Sequence, residues 1–175
     1  MTYDSNCEKC PYYNQENLSV NQRTNRNSPP VEFENNNSDT LLVFQAPGNV
    51  EWRVGRAIQP TVEIGGTAGR RIELSWERVG KSRADFDIVN SVQCFPGNEG
   101  EGTRDLAPNG VAINSCAYRL KVILNTKEYR KIITFGGVAN QMVNSLLEID
   151  NEPQVVIQAK HPNGGTSKAE LDTLW

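Results

Sequence analysis

Short apolar runs alternate with amphipathic segments along the chain from about residue 40 onward. Continuous apolar runs of this kind are typical of strands covered on both faces, and four occur: TLLVFQA (40–46), FDIVNSVQC (86–94), KIITFGG (131–137) and QVVIQA (154–159). Helical segments are predicted between and after them: TAGRRIELSWERVG, AINSCAYRLKVIL, VANQMVNSLLEI and a short SKAELDTLW. This order predicts an α/β fold, a three-layer α/β/α arrangement around a central, mainly parallel four-stranded sheet.

The region before the first strand differs in composition from the rest. Residues 13–40 are rich in Asn, Gln, Ser and Pro, which is typical of an irregular surface segment. At 175 residues, the whole chain has the size of one domain. We therefore expect residues 1–40 to form a cysteine-containing, partly irregular N-terminal segment and residues 41–175 to form the α/β domain.

Distinctive residues follow three of the predicted strands. The stretch QAPGN (45–49) follows the first strand, Asn90 and Cys94 lie near the end of the second, and HPN (161–163) follows the last. In open parallel sheets, ligands bind outside the carboxyl ends of the strands. The sequence therefore predicts that these three pieces meet in one crevice.

The cysteines have a spacing that suggests a metal site. A close pair, Cys7 and Cys10, is followed at a distance by Cys94 and Cys116. The first ten residues contain no basic region followed by an apolar run, so no secretory signal is predicted and reduced thiols are expected rather than disulfides. Four thiolates suit tetrahedral zinc or an iron–sulfur cluster, and spacing alone leaves both open.

Net charge and hydropathy exclude fewer functions than the motifs do. The formal net charge is −3, so the chain as a whole lacks the basic excess that favours nucleic-acid binding, although Lys and Arg cluster locally. No apolar stretch approaches the roughly 18 residues of a membrane span, so no membrane association is expected.

Taken in order, these motifs resemble the uracil-DNA glycosylase superfamily, in particular its iron–sulfur-containing branch, often called family 4. FQAPGNVEWRVGRAI is similar to the first family motif, and DIVNSVQCFPGN is similar to the strand that ends in Asn and leads to a cysteine. QAKHPN is similar to the second motif, in which His-Pro follows the last strand. The likeness covers most of the chain.

The resemblance implies an enzyme of base excision repair. It implies a monofunctional hydrolase that breaks the N-glycosidic bond of uracil in DNA and leaves an abasic site. It further implies a monomeric, cytoplasmic and nucleoid-associated protein whose partner is uracil-containing DNA. Gly165 stands where related enzymes often carry a bulky wedge, and a poor wedge favours single-stranded DNA as that partner. The cofactor implied is a 4Fe–4S cluster, with zinc as the alternative, on Cys7, Cys10, Cys94 and Cys116.

The resemblance also assigns roles within the crevice. His161 is expected to stabilise the charge that develops on the departing base by donating a hydrogen bond. Asn90 is expected to read uracil, because its amide both donates and accepts a hydrogen bond. Gln45 and Asn49 are expected to hold the attacking water, giving a catalytic set of His161, Asn49 and Gln45. The remaining substrate-binding positions are Ala46, Pro47, Gly48, Ile58 and Asn163.

The chain departs from the family pattern at several of these positions. Ile58 stands where the family has a Phe that stacks on uracil, so stacking is either lost or supplied by another aromatic such as Trp52 or Phe95. Gln45 and Asn49 replace acidic residues of the first motif, so neither supplies a carboxylate. These differences leave two alternatives open: a catalytically degenerate nucleic-acid-binding relative, and a glycosylase for another damaged base.

Overall fold

The structure, a computed structural model, describes residues 7–13, 30–59, 67–98, 104–147 and 155–175. Residues 14–29 of the predicted irregular segment lie outside the described residues. The ends of two predicted elements, residues 148–149 of a helix and residue 154 of a strand, also lie outside them.

A parallel sheet of four strands forms the centre of the molecule. The strands are β1 (Thr40–Phe44), β2 (Asp87–Asn90), β3 (Lys131–Phe135) and β4 (Val155–Ala159), in the spatial order β2-β1-β3-β4. Each neighbouring pair is parallel and in continuous register, so all four carboxyl ends lie at one edge. The predicted sheet is confirmed.

Helices cover both faces of the sheet. They are α1 (Asn49–Val54), α2 (Ala68–Arg78), α3 (Gly110–Leu124), α4 (Gly137–Leu147) and α5 (Lys168–Asp172). Alternate residues of β1 point to opposite faces: Leu41 and Val43 share a buried cluster with α3 and α4, whereas Leu42 and Phe44 share another with α2 and α5. The predicted three-layer α/β/α fold is therefore confirmed. None of the described helices has the length and apolarity needed to cross a membrane.

Two local differences from the sequence prediction lie at the carboxyl edge. Strand β2 ends at Asn90, four residues before the predicted end. The Ser91 N–H donates to the carbonyl of Phe44 and the Val92 N–H to that of Gln45, so the chain beyond β2 stays joined to β1 and to the loop after it. The short helix α1 was not predicted. Its six residues are too few for a recognisable apolar period, although Gly55 ends it in the left-handed conformation (φ 74°).

The opposite, amino edge of the sheet is fixed by a buried carboxylate. Asp87 Oδ1 accepts hydrogen bonds from the main-chain N–H groups of Asn36 (2.8 Å) and Ser38 (3.0 Å). Its Oδ2 accepts from the hydroxyl of Tyr129 (2.9 Å) and lies 2.7 Å from Nζ of Lys127. The Asp87 side chain is fully buried, so these partners replace the water that it loses on folding.

Candidate active site

The residues that the sequence assigns to the crevice lie at the carboxyl edge of the sheet. Asn90 is the last residue of β2, the stretch 45–49 follows β1, and His161 follows β4 by one residue. Strands β2 and β4 are the two outer strands of the sheet, roughly 14 Å apart at the usual strand spacing. The loop after β1 lies between them, so it is the element placed to connect the two sides of a site.

Asn90 presents a buried amide at this edge. Its residue is only 3% exposed and is paired in register with Phe44 of β1. Its Nδ2 finds no hydrogen-bond partner among the residues that the structure describes. Because buried polar groups are nearly always satisfied, such a donor requires an explanation, and a bound ligand is a common one.

The loop after β1 is joined to the loop after β2. The carbonyl of Gln45 accepts hydrogen bonds from the N–H of Val92 (3.0 Å) and from the hydroxyl of Ser91 (2.8 Å). The Gln45 side chain points toward β3, since a β-carbon built at Gly136 would lie 3.8 Å from its Oε1. The Asn49 side-chain carbonyl accepts a hydrogen bond from Nε of Arg53 (3.0 Å).

The surroundings of His161 favour one neutral form of its ring. Burial lowers the pKa of His161 from its ordinary value, although part of the side chain remains exposed. Nδ1 accepts a hydrogen bond from the main-chain N–H of Asn163 (3.3 Å), so the proton of the neutral ring lies on Nε2. The ring therefore offers one N–H donor.

The loop that carries His161 is braced on two sides. The carbonyl of His161 accepts hydrogen bonds from the Gly164 N–H (2.7 Å) and from the hydroxyl of Thr166 (3.1 Å). The guanidinium of Arg71, on α2, donates to the carbonyls of Pro162 and Thr166. These contacts fix the backbone on which the ring is mounted.

Two carboxylates lie beside the loop after β1, and the sequence analysis did not identify either as part of the site. A β-carbon built at Gly48 would lie 2.6 Å from Oδ2 of Asp105 and 2.8 Å from Oε2 of Glu51. The main-chain N–H of Asn49 also donates to Asp105. Glu51 belongs to the first motif, but Asp105 comes from a distant loop, and no spacing rule in the sequence connects it to Gly48.

Ile58 lies in a strained and buried position. It has φ of 50°, a left-handed conformation that β-branched residues rarely adopt, and it is 6% exposed. Its carbonyl accepts a hydrogen bond from Nη1 of Arg83 (2.8 Å). Arg83 is in turn bound to Glu34 (2.7 Å). Burial by itself raises the pKa of Glu34, but hydrogen bonds from Arg83, Arg56 and Asn36 outweigh it and lower the pKa to about 2.

The two aromatic residues considered as substitutes for the missing stacking Phe are engaged elsewhere. The rings of Trp52 and Phe95 stack on each other with centroids 5.2 Å apart. Both residues are 1% exposed. Neither ring is free to stack on a base in this structure.

The four cysteines are free thiols in the core. All are buried, with 4 to 8% exposure, and Cys10, Cys94 and Cys116 belong to the apolar cluster beneath α3. The turn Cys7–Lys9 packs against α3 as well. As they stand, no three His, Cys, Asp or Glu side chains of the described residues are close enough to hold a metal ion.

The thiols nevertheless influence one another electrostatically. Burial raises the pKa of Cys94 well above its ordinary value, and the neighbouring thiols of Cys116, Cys10 and Cys7 raise it further. Burial also raises the pKa of Cys116, to about 11, against a hydrogen bond from the Gln93 N–H that lowers it. A bound cation would lower the pKa values of these thiols, because its positive charge stabilises the thiolate form that binds it.

Comparison with known proteins finds a distant relative of the kind that the motifs resemble. The chain is similar to a type-4 uracil-DNA glycosylase. The two are 28% identical over 142 residues, and the relative is from Pyrobaculum aerophilum. The match covers 81% of this chain and 61% of the relative, so the chain spans about three fifths of the relative's length. No protein-family model matches the chain.

Proposed function

We propose that the chain is a DNA glycosylase that hydrolyses the N-glycosidic bond of uracil in DNA and leaves an abasic site. The observation that carries the proposal is the buried Nδ2 of Asn90, which has no partner among the described residues and lies at the carboxyl edge of the sheet. Similarity to the Pyrobaculum aerophilum type-4 uracil-DNA glycosylase over 81% of the chain supports the same activity.

In this proposal Asn90 reads the base. Its Nδ2 donates a hydrogen bond to O4 of uracil, and its Oδ1 accepts one from N3–H. Cytosine presents the reversed pattern, an amino donor and a ring acceptor, so it would leave both groups of Asn90 mismatched. The base reaches Asn90 only after it has left the helical stack, since the amide is buried at the end of β2.

His161 stabilises the leaving group in the same proposal. Breaking the bond between C1′ and N1 leaves negative charge on the uracil, spread over N1 and O2. A neutral ring with its proton on Nε2 donates a hydrogen bond to that oxygen without giving up the proton. The lowered pKa of His161 and the hydrogen bond from the Asn163 N–H both favour this form.

The rest of the pocket is formed by the loop after β1 and by Ile58. The loop after β1 forms the wall that contacts the base and the attacking water, and it comprises Gln45, Ala46, Pro47, Gly48 and Asn49. The main-chain N–H of Asn163 contributes by orienting His161. Ile58 cannot stack as a Phe does, and base–aromatic stacking is worth roughly 1–3 kcal/mol per base. A site with weaker stacking favours DNA whose bases are already unpaired, so single-stranded uracil-containing DNA is the preferred partner that we propose.

We infer that Cys7, Cys10, Cys94 and Cys116 hold a 4Fe–4S cluster, with zinc as the alternative. The chemistry of the donor set supports this, because the four thiols are buried, form no disulfide and include three neighbours that raise the pKa of Cys94. Among the described residues the side chains do not stand at ligand distances, so the thiols would move together when the group binds. The N–H of Gln93 donates to Cys116, and such hydrogen bonds to sulfur tune cluster sites. When bound, the group would cross-link the N-terminal turn, the loop after Asn90 and helix α3.

Metal analysis of anaerobically purified protein tests the cluster. We expect a brown protein with about four iron and four sulfide per chain. Removing the metal with a chelator should lower the melting temperature, because the cross-link is lost. A colourless protein containing zinc would contradict the cluster while leaving the base pocket untouched.

Cleavage at a single uracil tests the function. Single- and double-stranded oligonucleotides are incubated with wild type and His161→Ala, and abasic sites are then cut with alkali. We expect wild-type cleavage that is faster on the single strand, and a rate about 10²–10³-fold lower in the variant. Equal rates for the two proteins would show that His161 has another role.

A second candidate function follows from Ile58. An aliphatic residue in the position of the stacking Phe changes the shape of the pocket, which favours a different damaged base. Oligonucleotides that carry deaminated purines test this candidate beside uracil. Binding without cleavage of any of them would indicate the degenerate nucleic-acid-binding relative instead.

A further inference from the structure

The first motif lacks a carboxylate at the positions expected to activate water, yet the structure supplies carboxylates by another route. Glu51 and Asp105 both lie against the main chain of Gly48, at 2.8 and 2.6 Å from the position that a β-carbon would take. A side chain at position 48 would push these oxygens away, so the present positions of the two carboxylates require glycine there. We call Glu51 and Asp105 the carboxylate pair.

The two members of the carboxylate pair differ in their hydrogen bonds and in their exposure to solvent. Oε1 of Glu51 accepts a hydrogen bond from the main-chain N–H of Gln59 (3.1 Å), and α1 carries its backbone. This carboxylate is therefore held on one oxygen. Asp105 accepts from the Asn49 N–H and remains exposed to solvent. Asp105 is thus the more exposed of the two carboxylates.

The position of Asp105 connects it to the base-reading strand. Asp105 forms an isolated antiparallel bridge with Asn98, and the Leu106 N–H donates to the carbonyl of Gly97 (2.8 Å). Residues 97 and 98 belong to the loop that leaves Asn90. Asp105 therefore lies where the loop after β1 meets the loop after β2. Strand β2, which that second loop leaves, ends at Asn90, whose buried Nδ2 has no partner in the described part of the chain.

We propose that Asp105 is the general base that activates water in the proposed hydrolysis, with Glu51 as its positioning partner across Gly48. The inference rests on the proposed function. Asp105 takes one proton from water as the oxygen of that water bonds to C1′. The electron pair of the C1′–N1 bond leaves with uracil, which takes a proton from solvent, and the sugar keeps the hydroxyl. No other reactant is required.

The electrostatics of the carboxylate pair suit this role. Burial raises the pKa of Asp105 from its ordinary value, the nearby charge of Glu51 raises it further, and the hydrogen bond from Asn49 opposes both. A more basic carboxylate is a better proton acceptor at neutral pH, and a general base of this kind contributes about 10²–10⁴-fold to the rate. Since Asp105 must be ionised to act, the rate should decline at acidic pH.

Single-turnover cleavage by the full-length, metal-loaded protein tests the inference. The proteins compared are wild type, Asp105→Asn, Asp105→Glu, Glu51→Gln and Asp39→Asn. Asp39 is the matched control, because its carboxylate is exposed and precedes β1, at the opposite edge of the sheet. The measured quantities are the rate on single-stranded uracil DNA from pH 4 to 9, the Kd for an oligonucleotide carrying non-cleavable 2′-fluoro-deoxyuridine, and the melting temperature.

We expect Asp105→Asn to slow cleavage about 10²–10³-fold. Its Kd should remain within threefold of wild type, Asp105→Glu should recover part of the rate, and Asp39→Asn should match wild type. Glu51→Gln should move the acidic decline of the rate to lower pH, because a charge that raises the pKa of Asp105 is gone. A merely structural carboxylate would not produce that shift, and Glu51→Gln keeps the test valid even if Asp105→Asn folds poorly.

Two failures are distinguishable. An active wild type whose rate is unchanged in Asp105→Asn, or whose pH profile is unchanged in Glu51→Gln, overturns the role of the carboxylate pair alone. A wild type that binds but cleaves no uracil overturns the proposed function and this inference with it.

Discussion

Asn90 has an amide nitrogen without a partner among the described residues, so its proposed role in binding and its part in stability can be tested separately. Because its Nδ2 has no partner in the described chain, replacing Asn90 by Leu removes a group that costs free energy to bury. We expect Asn90→Leu to change the free energy of unfolding by less than about 1 kcal/mol, or to raise it. Uracil cleavage, in contrast, should fall at least about 100-fold, since the donor to O4 is lost.

Asn140 provides the matched control for that change. Its Oδ1 accepts hydrogen bonds from Thr134 (3.1 Å) and Asn144 (3.2 Å), so its amide is used by the fold. Asn140→Leu should lower the free energy of unfolding by about 1–3 kcal/mol, because these donors lose their acceptor. Chemical denaturation and single-turnover cleavage measure both variants. A large loss of stability in Asn90→Leu would show that the amide serves the fold after all.

The lowered pKa of His161 predicts how the free energy of unfolding depends on pH. Its folded pKa lies below the ordinary value of 6.5, so the ring stays neutral through neutral pH and charges only in more acidic solution. A charged ring carries a proton on Nδ1, which opposes the Asn163 N–H. The free energy of unfolding should therefore decline as the pH falls below 6.5, because the unfolded chain takes up the proton first. Melting temperatures of wild type and His161→Gln over pH 5–8 measure this, and parallel curves would contradict it.

At the scale of elements, the turn between β1 and α1 is bordered by two carboxylates. Gly48→Ala would bring a β-carbon against the oxygens of Asp105 and Glu51. Both oxygens are the ends of side chains that can rotate away, so we expect the free energy of unfolding to change by less than about 1 kcal/mol. Cleavage should fall more than tenfold, because the carboxylates lose their present positions. Gly110→Ala is the control: nothing lies within 4 Å of its added carbon, and it should be neutral or stabilising by up to about 1 kcal/mol.

The elements themselves were largely predictable from the sequence. Buried strands such as β1 and β3 leave continuous apolar runs, and α2, α3 and α4 leave helical periods, because burial acts on every residue of the element. The end of β2 was less predictable, because residues 91–94 are as buried as the strand although they lie beyond it. An apolar run that continues past a strand does not show where the strand ends.

The positions of two candidate residues were predictable to a similar extent. Asn90 ends one apolar run and His161 follows another, and the parallel sheet places both at its carboxyl edge, whereas their roles stay predictions. The position of Asp105 beside Gly48 could not be predicted, because only the folded loop brings the two together. The hydrogen bond that fixes the His161 ring was missed for a similar reason, since it comes from a main-chain group.

At the scale of the whole molecule, a buried charged cluster and the proposed catalytic residues lie at opposite edges of the sheet. Asp87, the first residue of β2, lies at the amino edge and contacts Lys127 and Tyr129. Asp87→Asn should lower the free energy of unfolding by about 3 kcal/mol, because Lys127 loses its counter-charge in a partly buried position. The single-turnover rate of the folded fraction should not change. A reduced rate in fully folded Asp87→Asn would show that the two edges are coupled.

The ring of His161 is oriented by the peptide bond of a neighbour rather than by a neighbouring side chain. Position 163 can therefore exchange its side chain freely without disturbing the histidine, and proline is the one residue that removes the donor outright. A relative could carry almost any residue there and keep the same ring orientation. In a comparison of sequences, position 163 would look like a variable loop position although its main chain orients the histidine.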